Sequence, residues 1–219
     1  MERSLEIVQS SLLPLLLAFF EATIPLTIIS FVLGVIIAVI TALARISKNK
    51  LLNSFFYLYV WIFRGTPLLV QLFIIFFGLP SVGIQLEAWS AAIIAFSLNT
   101  GAYASETIRS AILAIPAGQY ESAASLGMSQ RQIFTRIIAP QALKIALPPL
   151  SNNFVSLVKD TSLAASITIV EVFLTAQRIA ARTYEPLLLY CLVAVYYLIF
   201  CTLLNYLQSV LEHRMARYE

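Results

Sequence analysis

Residues 116–140 read PAGQYESAASLGMSQRQIFTRIIAP, the longest polar interruption between the apolar blocks of the chain. Pro116 and Gly118 break the helix that precedes them, and Tyr120 to Leu126 is rich in small residues. Gly127-Met128-Ser129 then offers a turn, with Ser129 as N-cap of a second helix from Gln130 to Ile138. That helix carries Arg131 and Arg136 beside Ile133, Phe134 and Ile137, and Pro140 is expected to halt it. The stretch therefore predicts two short amphipathic helices and no membrane span. Periodicity alone gives equal weight to an interfacial loop that only joins two spans.

Working outward, the class follows from composition. Hydrophobic residues make up 60% of the 219 and charged residues only 11%, where soluble domains carry roughly 25% charged residues. The mean hydropathy is +0.87. The apolar blocks are long and continuous, which favours helices over the alternating ten-residue strands of a barrel. This is an all-α integral membrane protein. The first residues, MERSLEIVQ, lack the basic region and small-residue cleavage site of a removable signal peptide. Cys191 and Cys201 lie ten residues apart on one helix, about 15 Å, too far to bridge. The single histidine, His213, gives no metal site.

In chain order, five spans are expected, over residues 16–44, 54–78, 88–114, 149–170 and 186–211, all in one domain covering 1–219. Leu12 to Glu21 is the outer extension of the first. Glu171 to Glu185 reads as an external connection with room for a short helix around Phe173, Gln177 and Arg178. Arg45, Lys48, Lys50, Arg109, Arg131, Arg136, Lys144, Arg214 and Arg217 fall on one side of this map, and Arg3, Arg178 and Arg182 on the other. The asymmetry places the N-terminus outside and the C-terminus in the cytoplasm. The net charge of +3 is thus sorted by membrane side and is no signal for nucleic acid.

Charges at membrane depth are costly and mark candidate sites. Asp160 lies about eleven residues into a helix that starts near Pro149, roughly 16 Å, close to the midplane of a bilayer core of about 30 Å. Lys159 and Asp160 differ by about 100° around the helix and cannot face each other. Asn153, Ser156 and Asp160, at i, i+3 and i+7, form a polar stripe toward a partner or a cavity. A zwitterionic ligand suits such a stripe, and so does pairing that only fixes the bundle. Arg64 sits in FRGTPLLVQLF, where Pro67 frees backbone carbonyls; it serves a substrate carboxylate, gating or structure. Asn99, Thr100 and Ser105 make the third span polar, and Gly101 and Ala102 allow close helix approach. Glu106 and Arg109 are spaced as a simple i, i+3 pair. No Gly-x4-Gly-Lys-Ser/Thr loop, His-Glu-x-x-His or nucleophile elbow occurs, so no enzyme chemistry is expected of this chain.

Glu121, Ser122, Ala123, Gly127, Ile137 and Pro140 resemble the EAA motif of permease subunits in ATP-driven importers. That motif is Glu-Ala-Ala, three residues, Gly, nine residues, Ile, one residue, Leu-Pro; here Ser122 and Ala139 depart from it. FRGTPLLVQLF, SLNTGAYASETIRSAI and ALPPLSNNFVSLVKDTSLA resemble the polar amino-acid branch of type I ABC importer permeases. GLPSVGIQL and the EVF-x3-Q run at Glu171 to Gln177 are most similar to L-cystine permeases, while related permeases take arginine, histidine, glutamine or glutamate. The resemblance implies a MetI-like fold of five transmembrane helices with a cytoplasmic coupling helix. It implies a second permease subunit, identical or closely related, two ATPase subunits that bind ATP and Mg, and an extracellular or periplasmic amino-acid-binding protein, in a prokaryotic cell membrane. No cofactor is expected in this chain. Gly118, Glu121, Ser122, Ala123, Ala124, Gly127, Met128, Gln130, Arg131 and Phe134 would meet the ATPase. Asn153, Ser156, Lys159, Asp160, Thr161, Arg64 and Asn99 are the candidates for the substrate pocket. An ion-coupled secondary carrier, with Asp160 taking a proton or ion, is the alternative of a different class.

Overall fold

The computed structural model describes residues 2–216, with side-chain environments through residue 210, and all its regular elements are helical. Arg217, one of the cations assigned above to the inner side, lies outside the described residues. The chain opens with α1 (Glu2–Ala18), one widened turn at Phe19–Thr23, and α2 (Ile24–Ile46). Together they make a 45-residue helix of about 67 Å, more than twice a bilayer core of roughly 30 Å. Its widened turn has the Ile24 N–H reaching back to the Phe19 carbonyl. This accommodates Pro25 just inside α2, which has no N–H to give.

α3 (Lys50–Gly65) is N-capped by Asn49, whose side chain accepts from the Leu51 and Leu52 amides. After Thr66-Pro67 the chain turns through 107° into α4 (Leu68–Phe73) and its continuation to Val82. α5 (Ala88–Leu113) is the central helix and runs beside α2 in the same direction. The two approach closely because their shared face is made of small side chains: Ala38, Ala42, Ala91, Ala92, Ala95 and Ala104 are fully buried. In lipid such packing takes over from the hydrophobic effect as the force between helices. It also lowers the apolarity of α5, whose buried residues include Ser97, Thr100 and Ser105.

α6 (Ala117–Ser125) and α7 (Gln130–Gln132) follow, then a widened turn at Ile133–Ile138 and α8 (Ala139–Asp160). Pro140 does not halt the helix as expected. The Ala139 N–H bonds the Phe134 carbonyl five residues back, and the wider turn lets the helix pass proline. Pro148 and Pro149 likewise sit inside α8 rather than at its start. Beyond Asp160 come a 3-10 segment, Thr161–Ile167, and a bend of 52° into α9 (Val172–Thr183). α9 joins the bundle instead of standing apart as an external connection. Its Val172, Ala176 and Ala180 are buried with Ile7 and Leu15 of α1 and with Leu189 and Val193 of α10 (Pro186–Ala216).

By length and apolarity alone, two of the described helices cross a membrane, and up to four if each bent pair counts as one span. α5, at 26 residues, is about 39 Å long.

Candidate functional site

The α3–α4 bend and the C-terminal turns of α8 face one cavity of about 340 Å³. Thr66, Pro67 and Leu68 line it from the α3–α4 break, and Asn153, Ser156, Leu157 and Asp160 from the last turns of α8. Asn99, Thr100 and Tyr103 close it from the middle of α5. The i, i+3, i+7 spacing on α8 brings Asn153, Ser156 and Asp160 onto one wall, as helical geometry requires. The Asn153 amide nitrogen is buried and makes no hydrogen bond, two helical turns before Asp160 on the same wall. A cavity with an acceptor, a donor and apolar sides suits a small zwitterion.

Of the seven pocket candidates, Asn99, Asn153, Ser156 and Asp160 come together, and three do not line the cavity. Lys159 is exposed, one helical step away from the wall. Thr161 is buried, and its hydroxyl donates to the Val158 carbonyl at 2.7 Å, closing the end of α8. Arg64 stands at the edge, its guanidinium 5.3 Å from the centre of the Tyr103 ring.

Glu106 is more than the partner of Arg109. It accepts from Arg109 at 3.1 and 3.2 Å, forms an ion pair with Arg45, and lies 3.8 Å from Arg64. One carboxylate thus ties the ends of α2 and α3 to α5. The i, i+3 spacing revealed only the partner on its own helix, because Arg45 and Arg64 are 61 and 42 positions away along the chain.

Gln71 and Tyr103 were missed in the sequence. Gln71 is buried, with its amide directed at the α3–α4 break. A signal was present: a long amide four residues after Pro67 is placed to serve the carbonyls that proline leaves without a donor.

At the far end from the cavity, α6 stops at Gly127, which has φ +76°. The Gly127 N–H bonds the Ala124 carbonyl at 2.9 Å and the Met128 N–H that of Ala123 at 3.3 Å, a Schellman ending. Ser129 and Gln132 then form a reciprocal capping box that starts the next helix. Ala123 and Ile133 are buried against Ile112, Ile115 and Ile138, with Met128 and Phe134 half-buried beside them. Gly118, Glu121, Ser122, Ala124, Gly127, Gln130 and Arg131 are exposed, and Leu126 is 82% exposed.

A family model described as a binding-protein-dependent transport system inner membrane component matches residues 30–217. The L-cystine transport system permease protein TcyB of Bacillus subtilis (strain 168) is 50% identical over 214 residues, covering 97% of this chain and 92% of that protein. The nopaline transport system permease protein NocM of Agrobacterium fabrum is 43% identical over 195 residues, 84% of this chain and 81% of that protein. Among solved structures, an amino acid ABC transporter crystallised with histidines aligns with a TM-score of 0.84 at 32% identity, over 95% of this chain and 94% of that one. The MetNI methionine ABC transporter, at 19% identity and a TM-score of 0.73, shares the fold. The chain belongs to the family of binding-protein-dependent transport system inner membrane components.

Proposed function

We propose that this chain forms the substrate pathway of an ABC importer for L-cystine and meets its amino acid in the cavity between the α3–α4 break and the last turns of α8. As a permease subunit it is not itself an enzyme; ATP hydrolysis belongs to a separate subunit. The observation that carries the reading is the convergence of Asn99, Asn153, Ser156 and Asp160 on one cavity beside the α3–α4 break. Interrupted helices with polar side chains are how membrane proteins place ligand groups at mid-depth. Cystine is favoured by the 50% identity to the L-cystine permease. Histidine or another polar amino acid is the second reading, favoured by the similar transporter crystallised with histidines.

In this reading five spans cross the membrane: α1–α2, α3 with α4, α5, α8 with α9, and α10. The N-terminus is outside and the C-terminus is in the cytoplasm. Residues 116–140 are the coupling segment. The exposed row of Gly118, Glu121, Ser122, Ala124, Gly127, Gln130 and Arg131, with Leu126 bare to solvent, suits a groove on an ATPase subunit. Met128 and Phe134 support that row from beneath. Two ATPase copies holding ATP and Mg, a second permease subunit and an external binding protein complete the machine. Closure of the ATPases would move the coupling segments and swing the cavity between the two sides.

The test is ATP hydrolysis by the purified complex in nanodiscs, with its binding protein loaded in turn with cystine, arginine, histidine and glutamine. Stimulation by cystine, lost in Asp160→Ala, is the expected result. Stimulation by another ligand alone reassigns the substrate. Accumulation of labelled cystine on a proton gradient with no ATPase bound points to the secondary carrier instead.

A further inference from the structure

Pro67 has no N–H, so the Phe63 carbonyl four residues earlier lacks its helical donor. The Thr66 carbonyl is also left over, because the Val70 N–H bonds Pro67 instead. Both oxygens are satisfied by one side chain: the Gln71 amide nitrogen donates to Phe63 O at 2.8 Å and Thr66 O at 3.0 Å, and lies 2.9 Å from Thr66 Oγ1. Gln71 is only 6% exposed, and carbonyls left unpaired in such a place keep an uncompensated desolvation penalty.

These bonds dictate the orientation of a second amide. Carbonyls only accept, so the nitrogen end of Gln71 must face them and its Oε1 must face the other way. There it accepts from the Asn99 amide nitrogen at 3.0 Å, and the same nitrogen reaches Phe63 O at 3.4 Å. With both Nδ2 hydrogens of Asn99 committed, Oδ1 is the group that remains, and Asn99 lines the cavity. The proline break therefore fixes, through Gln71, that Asn99 offers an acceptor and not a donor.

We infer that Gln71 is a positioning residue for substrate, acting through Asn99. It holds Thr66 in the wall and presents Asn99 Oδ1, with the Asp160 carboxylate, as acceptors for the ammonium of an α-amino acid. This rests on the cavity being the amino-acid site. It adds that the recognition depends on a residue that never touches the ligand.

The experiment is equilibrium binding of radiolabelled L-cystine to the assembled permease–ATPase complex, as a double-mutant cycle of Gln71→Glu and Asn99→Ala. Glutamate keeps the shape of Gln71 but cannot donate to the two carbonyls when ionised. Each single variant is expected to weaken cystine binding about tenfold, and the double variant no further than Asn99→Ala alone, since the two act as one unit. Losses that multiply to about a hundredfold overturn the proposal, as does unchanged binding in Gln71→Glu. Gln71→Met, of similar length and without the amide, is the second variant. If neither Gln71 variant assembles by size exclusion while Asn99→Ala does, Gln71 serves folding alone and the proposal fails. Asp160→Ala reports on the cavity independently: full cystine binding there removes the underlying reading, whereas lost binding there with Gln71→Glu unaffected removes only this one.

Discussion

A side chain on Gly34 would collide with Thr100: a Cβ there would stand 2.8 Å from both the Cβ and the Cγ2 of Thr100. The two residues set the distance between α2 and α5, and Thr100 also lines the cavity. Gly34→Val is expected to lower stability by about 1–3 kcal/mol through overpacking and to widen the cavity wall. Thermal unfolding in detergent, read by loss of monodisperse complex, measures it. An unchanged melting point would show that α2 and α5 can part at this contact without loss of stability.

The Glu106 cluster makes a second prediction. Glu106→Gln leaves Arg45, Arg64 and Arg109 facing one another without their shared anion. A loss on the order of 2–4 kcal/mol is expected, smaller than for a fully dry pair because the glutamate side chain is 20% exposed. Removing a cation as well, in Glu106→Gln with Arg45→Gln, should return part of the melting temperature. If the double variant melts below the single one, the repulsion argument is wrong.

Gly127→Asp bears on coupling. Its φ of +76° costs a side-chain residue about 1 kcal/mol, while no atom lies within 4 Å of the added Cβ. The membrane bundle should therefore assemble, and on the proposed coupling role what suffers is docking of the ATPase. ATP hydrolysis in nanodiscs is expected to lose its response to loaded binding protein, with the complex intact on size exclusion. Loss of the bundle itself would assign Gly127 to folding. Gly127→Asn, which tolerates the left-handed region better, should be the milder change.

Asp160 and Lys159 separate the cavity from its surroundings. Asp160→Ala should reduce ligand-stimulated hydrolysis at least about tenfold, the worth of one charge-assisted contact. Lys159→Ala should change it less than twofold, because Lys159 is exposed and does not line the cavity. Equal losses in the two would mean that the helix end, and not its inward face, is what matters.

Much of this was readable from the chain. The helical class followed from composition, and the polar stripe of Asn153, Ser156 and Asp160 from a period that the backbone enforces. The turn at Gly127 and the cap at Ser129 are local, so their residues announce them. What was not readable is set by partners far away in sequence. Arg45 and Arg64 reach Glu106 across three helices, and α9 enters the bundle because Val172, Ala176 and Ala180 find α1 and α10. Pro140 was misread for a related reason: proline removes a single bond, and a widened turn can absorb that loss when the rest of the helix is held by Ile133 and Ile138.

The 107° turn at Thr66-Pro67 also bears on how the proposed pathway changes sides. α9, the short piece beyond the other break, has 12 residues, or about 18 Å. α9 alone therefore covers little more than half of a bilayer core of about 30 Å and needs α8 before it to complete a crossing. On the proposed reading, Thr66, Pro67 and Leu68 put the cavity wall at the joint between α3 and α4, and a small rotation there changes which side the cavity sees.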